Sequence, residues 1–278
     1  MIKQNLHTHT CYCDGRNSVD EMVLEAIQRG FTVLGFSGHG HCLIDDYSMD
    51  EEKTKQYIED IKTAKEKYKD KIQIFLGLEQ DVLGESVIKG QPYEYLIGSV
   101  HFVKGKDRYI AVDESKEMTD RLVEEYHDFL AYAKAYYQEV KKIADMQSID
   151  IIGHVDLLMK FNEAENYIAF EDPMYLKIAY DCIDYLIKKG KILEINTGAI
   201  ARGMRTTPYP HVSLLRYICA HDGKILLNSD CHQKEMLDCS YEEAIKLIRS
   251  CGFTKMEVLT AHGFVSMPIT CFIENDKL

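Results

Sequence analysis

Short apolar runs alternate with longer amphipathic stretches along the whole chain. The runs are Ile2–Leu6, Thr32–Phe36, Ile72–Leu78, Tyr95–Val100, Asp150–Gly153, Ile192–Ile195 and Ile225–Leu227, with a weaker one at Met256–Leu259. They are rich in β-branched residues and do not alternate, as expected of strands covered on both faces of a parallel sheet. The stretches between them repeat their apolar positions at helical spacing. Ser18 and Glu21 form a capping box ahead of Met22, Val23, Ala26 and Ile27, and Gly30 closes that helix. A second helix is predicted from Asp50 to about Lys69, with Tyr57, Ile58, Ile61, Ala64 and Tyr68 on one face, and a long one follows Thr119. Asp172 and Pro173 open another that Gly190 ends, Pro210–His221 is a further one, and Ser240 to Glu243 open the last. Strand–helix alternation of this kind gives an α/β class with a parallel sheet. Seven or so units without a break favour one closed or nearly closed barrel over 1–278, with an open doubly wound sheet as the alternative.

Each run ends on a residue that can carry chemistry. The ends are His7-Thr8-His9 with Asp14 five residues on, then His39, Glu79-Gln80-Asp81, His101, His154-Val155-Asp156, Glu194-Ile195-Asn196 and Asp230-Cys231-His232. In a barrel the strand ends converge on one rim, where active sites sit. Residues i and i+2 of an extended segment point the same way, so His7 and His9 can share one ion, and Asp230 and His232 can approach a common centre. A lone histidine at a strand end is usually a hydrogen-bonded structural residue. Six histidines at five strand ends are a pattern of another kind. His7, His9, Asp14, His39, Glu79, His101, His154, Asp230 and His232 exceed the four to six positions of one ion. They suit two or three divalent ions of the zinc, manganese or iron type. Of the other histidines, His127, His211 and His221 fall in helices or helix entries and read as surface residues, while His41 and His262 lie close enough to strand ends to support ligands.

Composition narrows the reading. The 278 residues carry 33 Lys and Arg against 45 Asp and Glu, a net charge of −12. An acidic surface repels phosphate backbones and anionic membranes. No run approaches the ~18 apolar residues of a membrane span, and the N-terminus lacks a signal-peptide pattern. Nine scattered cysteines without such a signal fit free thiols in the cytoplasm better than a disulfide framework. No glycine-rich phosphate loop follows the first run, so nucleotide binding has no support. Oligomeric state is not written in the sequence.

The succession of H-x-H, a later His, G-x-E, G-S-x-H, G-H-x-D and S-D-x-H resembles the PHP (polymerase and histidinol phosphatase) superfamily over essentially the whole chain. Gly98-Ser99-Val100-His101-Phe102, Gly153-His154-Val155-Asp156-Leu157, and Leu193-Glu194-Ile195-Asn196-Thr197 followed by Tyr209-Pro210 resemble its histidinol-phosphatase branch. The resemblance implies a distorted (βα)7 TIM-like barrel with a trinuclear site. One ion would take His7, His9, Glu79 and Asp230. A second would take bridging Glu79 with His101 and His154, and a third Asp14, His39 and His232. It implies hydrolysis of a small phosphate monoester, L-histidinol phosphate, as a step of histidine biosynthesis. Glu79, Asp230 and His232 would be catalytic, and a hydroxide shared by two ions would attack. Three departures stand out: Gly38 where the superfamily often has an acid, Cys231 in place of a small residue, and Lys160 where relatives place an Arg for phosphate. Arg202 and Arg205 follow the sixth run and, with Lys160, are the candidates for holding phosphate. His41, Asp81, Asp156 and His262 are candidates for protonating the leaving alkoxide. The alternatives are a phosphoesterase of the same superfamily on phosphotyrosine, a nucleotide or a phosphodiester, and a metal-binding regulatory protein without turnover.

Overall fold

The computed structural model describes residues 1–84 and 91–273. In chain order the elements are β1 (Gln4–Asn5), α1 (Val19–Gln28), β2 (Val33–Phe36), α2 (Glu51–Tyr68), β3 (Gln73–Asp81), β4 (Tyr95–Ser99), β5 (Phe102–Lys104), β6 (Tyr109–Ala111), α3 (Lys116–Tyr126), α4 (Phe129–Asp145), β7 (Ile151–Ile152), α5 (Asn162–Glu165), α6 (Pro173–Lys188), β8 (Ile192–Asn196), α7 (Gly198–Ala201), α8 (Val212–Ala220), β9 (Lys224–Asn228), α9 (Tyr241–Ser250), β10 (Lys255–Thr260) and β11 (Gly263–Pro268). All seven strong apolar runs are strands of one parallel sheet in the order β1-β2-β3-β4-β7-β8-β9. The helices that return the chain bury one stripe each. The Ser18–Glu21 capping box is present on α1, and Gly30 follows it at φ +73°. Asp172 accepts from the backbone N–H groups of Met174 and Tyr175, with Pro173 in the first turn of α6.

The sheet curls into a nearly closed barrel. No ladder joins β9 to β1. Instead a bridge beyond their ends pairs Thr8 with Cys231, where His9 N–H donates to Cys231 O at 2.8 Å and Cys231 N–H to His7 O at 3.0 Å. Lower down, the Gln4 side chain bonds Glu257 O and Leu259 N–H, so β10 is tied to β1 through a side-chain amide. The interior is plugged by Tyr95, whose hydroxyl lies 2.5 Å from Leu6 O and 3.0 Å from Phe36 O. A Cβ on Gly35 would stand 2.4 Å from that hydroxyl, and one on Gly77 2.3 Å from the ring. Both glycines are present because the tyrosine needs their space.

Two expectations change, and one element is new. The single long helix after Thr119 is two, α3 and α4. The chain turns at His127, in the left-handed region at φ 74°, and the Asp128 carboxylate then caps Ala131 N–H. The weak run Met256–Leu259 is a strand, but β10 pairs antiparallel with β11 outside the barrel. A small antiparallel pair, β5–β6, follows His101 directly and was hidden in a mixed polar segment. Among the described residues no helix is long and apolar enough to cross a membrane, and all nine cysteines are free.

Candidate metal centre

His7 and His9 leave the end of β1, Glu79 sits near the end of β3, and Asp230 follows β9. His7 Nε2 lies 3.2 Å from Glu79 Oε2 and 3.6 Å from Asp230 Oδ1, and His9 Nε2 lies 3.5 and 3.3 Å from the same two atoms. The three side chains His7, His9 and Glu79 are at most 1% exposed, and both Nε2 atoms and Glu79 Oε2 are buried without a hydrogen-bond partner. Leaving such atoms unpaired costs roughly 1–3 kcal/mol each. A shared cation removes that cost. Ligands held about 2.1 Å from one ion stand about 3.4 Å apart in a tetrahedral site, and the four imidazole–carboxylate distances here run from 3.2 to 3.6 Å. The donor set therefore fits a divalent transition metal.

Glu79 also faces the other way. Its Oε1 lies 3.2 Å from His154 Nε2 and 3.5 Å from His101 Nε2, while Ser99 Oγ donates to it at 2.6 Å. An outer group forms around Asp14, with His39 Nε2 and His9 Nδ1 each 3.6 Å from Oδ1 and His232 Nε2 3.1 Å from Oδ2. All nine expected ligands thus meet in overlapping clusters. The division between them is less sharp than the resemblance implies. His39 Nδ1 stands 3.0 Å from Glu79 Oε2, His39 clusters with Glu79 and His101 as well, and His9 turns its second nitrogen to Asp14. Asp230 has the left-handed conformation, φ 49°, so the chain bends after β9 and strand alternation does not govern Asp230 and His232.

Two carboxylates outside the expected ligand set fix the imidazoles. Glu194 Oε1 holds His7 Nδ1 at 2.7 Å, and its carboxylate also accepts from His154 N–H and the amides of Asn196 and Asn228. Asp81 Oδ2 accepts from His101 N–H at 2.8 Å and lies 3.2 Å from His101 Nδ1. Each contact leaves the ring's Nε2 directed at the cluster, the usual support of a metal-bound histidine. Burial lowers the pKa of His7, but the carboxylates of Glu194, Glu79 and Asp230 outweigh it and hold the ring well above its ordinary value. Burial likewise opposes Glu79 and Asp81 at His101, which is pushed up to about 10. His9 goes down to about 3, through burial and then the neighbouring His232 and His39. Burial pushes Glu79 and Asp230 up, yet the surrounding histidines, with Arg202 at Asp230, hold both well below the carboxylate range.

The cluster opens into a cavity of ≈ 920 Å³. Arg202 lines it, with Nη2 2.9 Å from Asp230 Oδ2 and Nη1 3.3 Å from His232 Nδ1. Lys160 lines it too, with Nζ on Asp113 O at 2.7 Å and Oδ2 at 3.1 Å. Arg205 does not reach it. Its side chain is fully buried behind the wall, over Tyr209 at 4.3 Å and 3.7 Å from Asp156. Asp156 is equally buried, and neither it, His41 nor His262 lines the cavity; His262 lies in the exposed β10–β11 turn. His211 is no plain surface residue, because it caps α8 and stacks on Phe170. Arg16, absent from the sequence-based candidates, does line the cavity. The space beside Gly38 is filled by Met49, Cys13 and Tyr57, so no acidic side chain would fit there unchanged. The Cys231 thiol turns away from the cluster and donates to Gln233 O.

A family model described as "PHP domain" matches residues 5–198. A protein named "Probable histidinol-phosphatase" from Deinococcus radiodurans is 27% identical over 88% of this chain and 92% of its own. One of the same name from Schizosaccharomyces pombe is 23% identical over 92% and 88%. The solved structure of histidinol phosphate phosphatase from Lactococcus lactis, complexed with zinc, L-histidinol and phosphate, superposes with a TM-score of 0.73 at 22% identity, covering 95% of this chain and 98% of that one. That likeness establishes a shared barrel architecture. With well over half its length matched by the domain model and the nine candidate ligands gathered in overlapping clusters, the chain belongs to the PHP family.

Proposed function

We propose that this protein hydrolyses L-histidinol phosphate to L-histidinol and phosphate. The observation that carries the reading is Glu79, whose two carboxylate oxygens face separate histidine sets on the floor of a cavity walled by Arg202 and Lys160. Two or three ions of the zinc, manganese or iron type would be held by His7, His9, Glu79 and Asp230, by Glu79 with His101 and His154, and by Asp14, His39 and His232. When bound they would supply Lewis acidity toward phosphoryl oxygens and a nucleophile at neutral pH. The chain's own work is to place the ester. Arg202, held by Asp230 and His232, keeps further N–H groups for phosphate, and Lys160 offers a cation steadied by Asp113. The substrate assignment is supported by relatives that bear the histidinol-phosphatase name and align along nearly their whole length. The full 1–278 chain acts as one domain on this reading, since Asp230 and His232 lie beyond the matched 5–198 yet complete the same cluster. We take it to act in the cytoplasm, where nine free thiols are stable.

Phosphate release from a panel of monoesters by metal-loaded protein tests this. L-Histidinol phosphate should exceed generic esters by at least about 100-fold in kcat/KM. Faster turnover of another ester would reassign the substrate. Stoichiometric metal without hydrolysis of any phosphoester would favour a binding protein.

A further inference from the structure

The loop after β8 carries Arg202 to the cavity and then turns back into the protein. It leaves at Asn196 and returns at Tyr209, and these two residues exchange N–H···O bonds of 2.8 and 2.9 Å. α7 fills its first half, and the N–H groups of Met204 and Arg205 return to Ala199 O. Two acids from other segments hold the second half. Glu163 on α5 accepts from Thr206 N–H at 2.7 Å and from the hydroxyls of Thr206 and Thr207 at 3.0 Å. Asp156, two residues beyond His154, accepts from His211 N–H at 2.9 Å. The Arg205 guanidinium lies between these carboxylates, with Nη1 3.7 Å from Asp156 Oδ2 and Nε 3.8 Å from Glu163 Oε1. Its carbon stands 4.3 Å from the centre of the Tyr209 ring and 5.6 Å from that of Phe170. Among the described residues Arg205 Nε and Nη1 and Asp156 Oδ1 are buried without a hydrogen-bond partner. A buried charge so loosely paired adds little stability that an apolar side chain of similar volume would not, but it admits only one seat, between the two acids. That seat ties the end of β7, which bears His154, to the loop that bears Arg202.

We propose that Arg205 is a positioning residue that acts through Arg202. It reaches neither the cavity nor the histidine cluster. From behind the wall it fixes the loop so that the Arg202 fork stands 2.9 Å from Asp230 and 3.3 Å from His232, with its remaining N–H groups free for phosphate. A neutral side chain in its place removes the attraction to both acids and leaves Asp156 and Glu163 facing each other, so the loop relaxes. Recognition by a guanidinium fork depends on direction as well as charge, and a shift of about an ångström is enough to spoil it. The inference rests on the reading of the cavity as a phosphate site, and it gives a role to a buried cation that the reaction does not touch.

The test is a double-mutant cycle in metal-loaded protein, read as kcat and KM for L-histidinol phosphate and as the Kd of inorganic phosphate. Arg205→Met keeps bulk against Tyr209 and removes the charge. It should raise KM and the phosphate Kd about tenfold, with kcat changed less and zinc content unchanged. Glu163→Ala, at a partly exposed position, should do the same about threefold, and it carries the cycle should Arg205→Met fail to fold. In an Arg202→Ala background either substitution should alter KM and Kd by less than about twofold, because the group through which it acts is gone. A loss of undiminished size in that background, or a lower Tm with phosphate affinity unchanged, would overturn the proposal. If L-histidinol phosphate is not hydrolysed, the substrate reading fails and the phosphate Kd alone decides this inference. Wild type that binds no phosphate overturns both.

Discussion

His7, His9 and Glu79 have side chains at most 1% exposed, whereas Asp14 and His232, one imidazole further out, are 35% and 23% exposed. The inner atoms are buried, unpartnered and aimed by Glu194 and Asp81. The outer ones stand on the loop after β1 and the bend after β9, and among the described residues the partners of the Asp14 carboxylate are all histidines. One region is sealed from solvent, and the other is built from side chains partly open to it. Affinity follows preorganisation, so the inner clusters should hold their ions tightly and the outer one should exchange.

The comparison breaks most completely at Glu79, which serves both inner clusters. Glu79→Gln replaces one of its oxygens with an N–H₂ that cannot ligate. Bound metal should fall by two ions, and phosphate release should fall on the order of 10³-fold. Elemental analysis together with steady-state rates checks this. A variant that kept both inner ions would show that Glu79 is not shared.

Proton linkage gives the next effect. In the metal-free protein His7 sits well above its ordinary pKa and His101 near 10, so both rings carry a proton at neutral pH. An ion must displace those protons. Protons compete below the raised pKa values and cease to compete above them, so affinity rises with pH through the neutral range. Two displaced protons correspond to up to about a hundredfold per pH unit. Calorimetry of zinc uptake in buffers of different ionisation enthalpy should register the release. Uptake without protons would mean that the inner rings are neutral before binding.

Glu194 sharpens the contrast from behind the ligands. Glu194→Gln keeps shape but weakens the hold on His7 Nδ1 and on His154 N–H. Inner-site zinc affinity should drop roughly 10–100-fold, with outer-site affinity unchanged in a chelator competition.

The inner region was also the more legible one. A parallel barrel delivers every strand's C-terminal end to one rim, so His7, Glu79, His101 and His154 could be placed from short apolar runs alone. Which ring nitrogen faces which carboxylate could not, because it depends on side-chain rotation; His39, with one nitrogen toward Glu79 and the other toward Asp14, shows this. Glu194 looked like one more strand-end acid, and only its contacts mark it as a support. Loops were harder still. Arg202 and Arg205 are three residues apart, but Gly203 at φ +69° reverses the chain between them, so one faces the cavity and the other the protein interior. The split at His127 escaped for a similar reason, because apolar periodicity continues through it and only the Asp128 cap marks the new helix.

The mildest expected change lies at Asp14, and it asks whether the outer cluster is a site of its own. Asp14 contributes Oδ1 toward His9 Nδ1 and His39 Nε2 and Oδ2 toward His232, and so meets only the ring nitrogens of His9 and His39 that face away from Glu79. Asp14→Asn therefore removes charge from the outer cluster and leaves the inner donors intact. One ion should be lost on dialysis while two remain, and activity should fall about tenfold, a loss comparable to weakening one metal contact. Added metal should restore part of that activity, because exposed ligands can still gather a weakly held ion at higher concentration. Loss of all ions together would mean that the clusters bind as a unit and that burial does not separate them. Unchanged metal content would instead mean that His9, His39 and His232 hold the outer ion without the carboxylate.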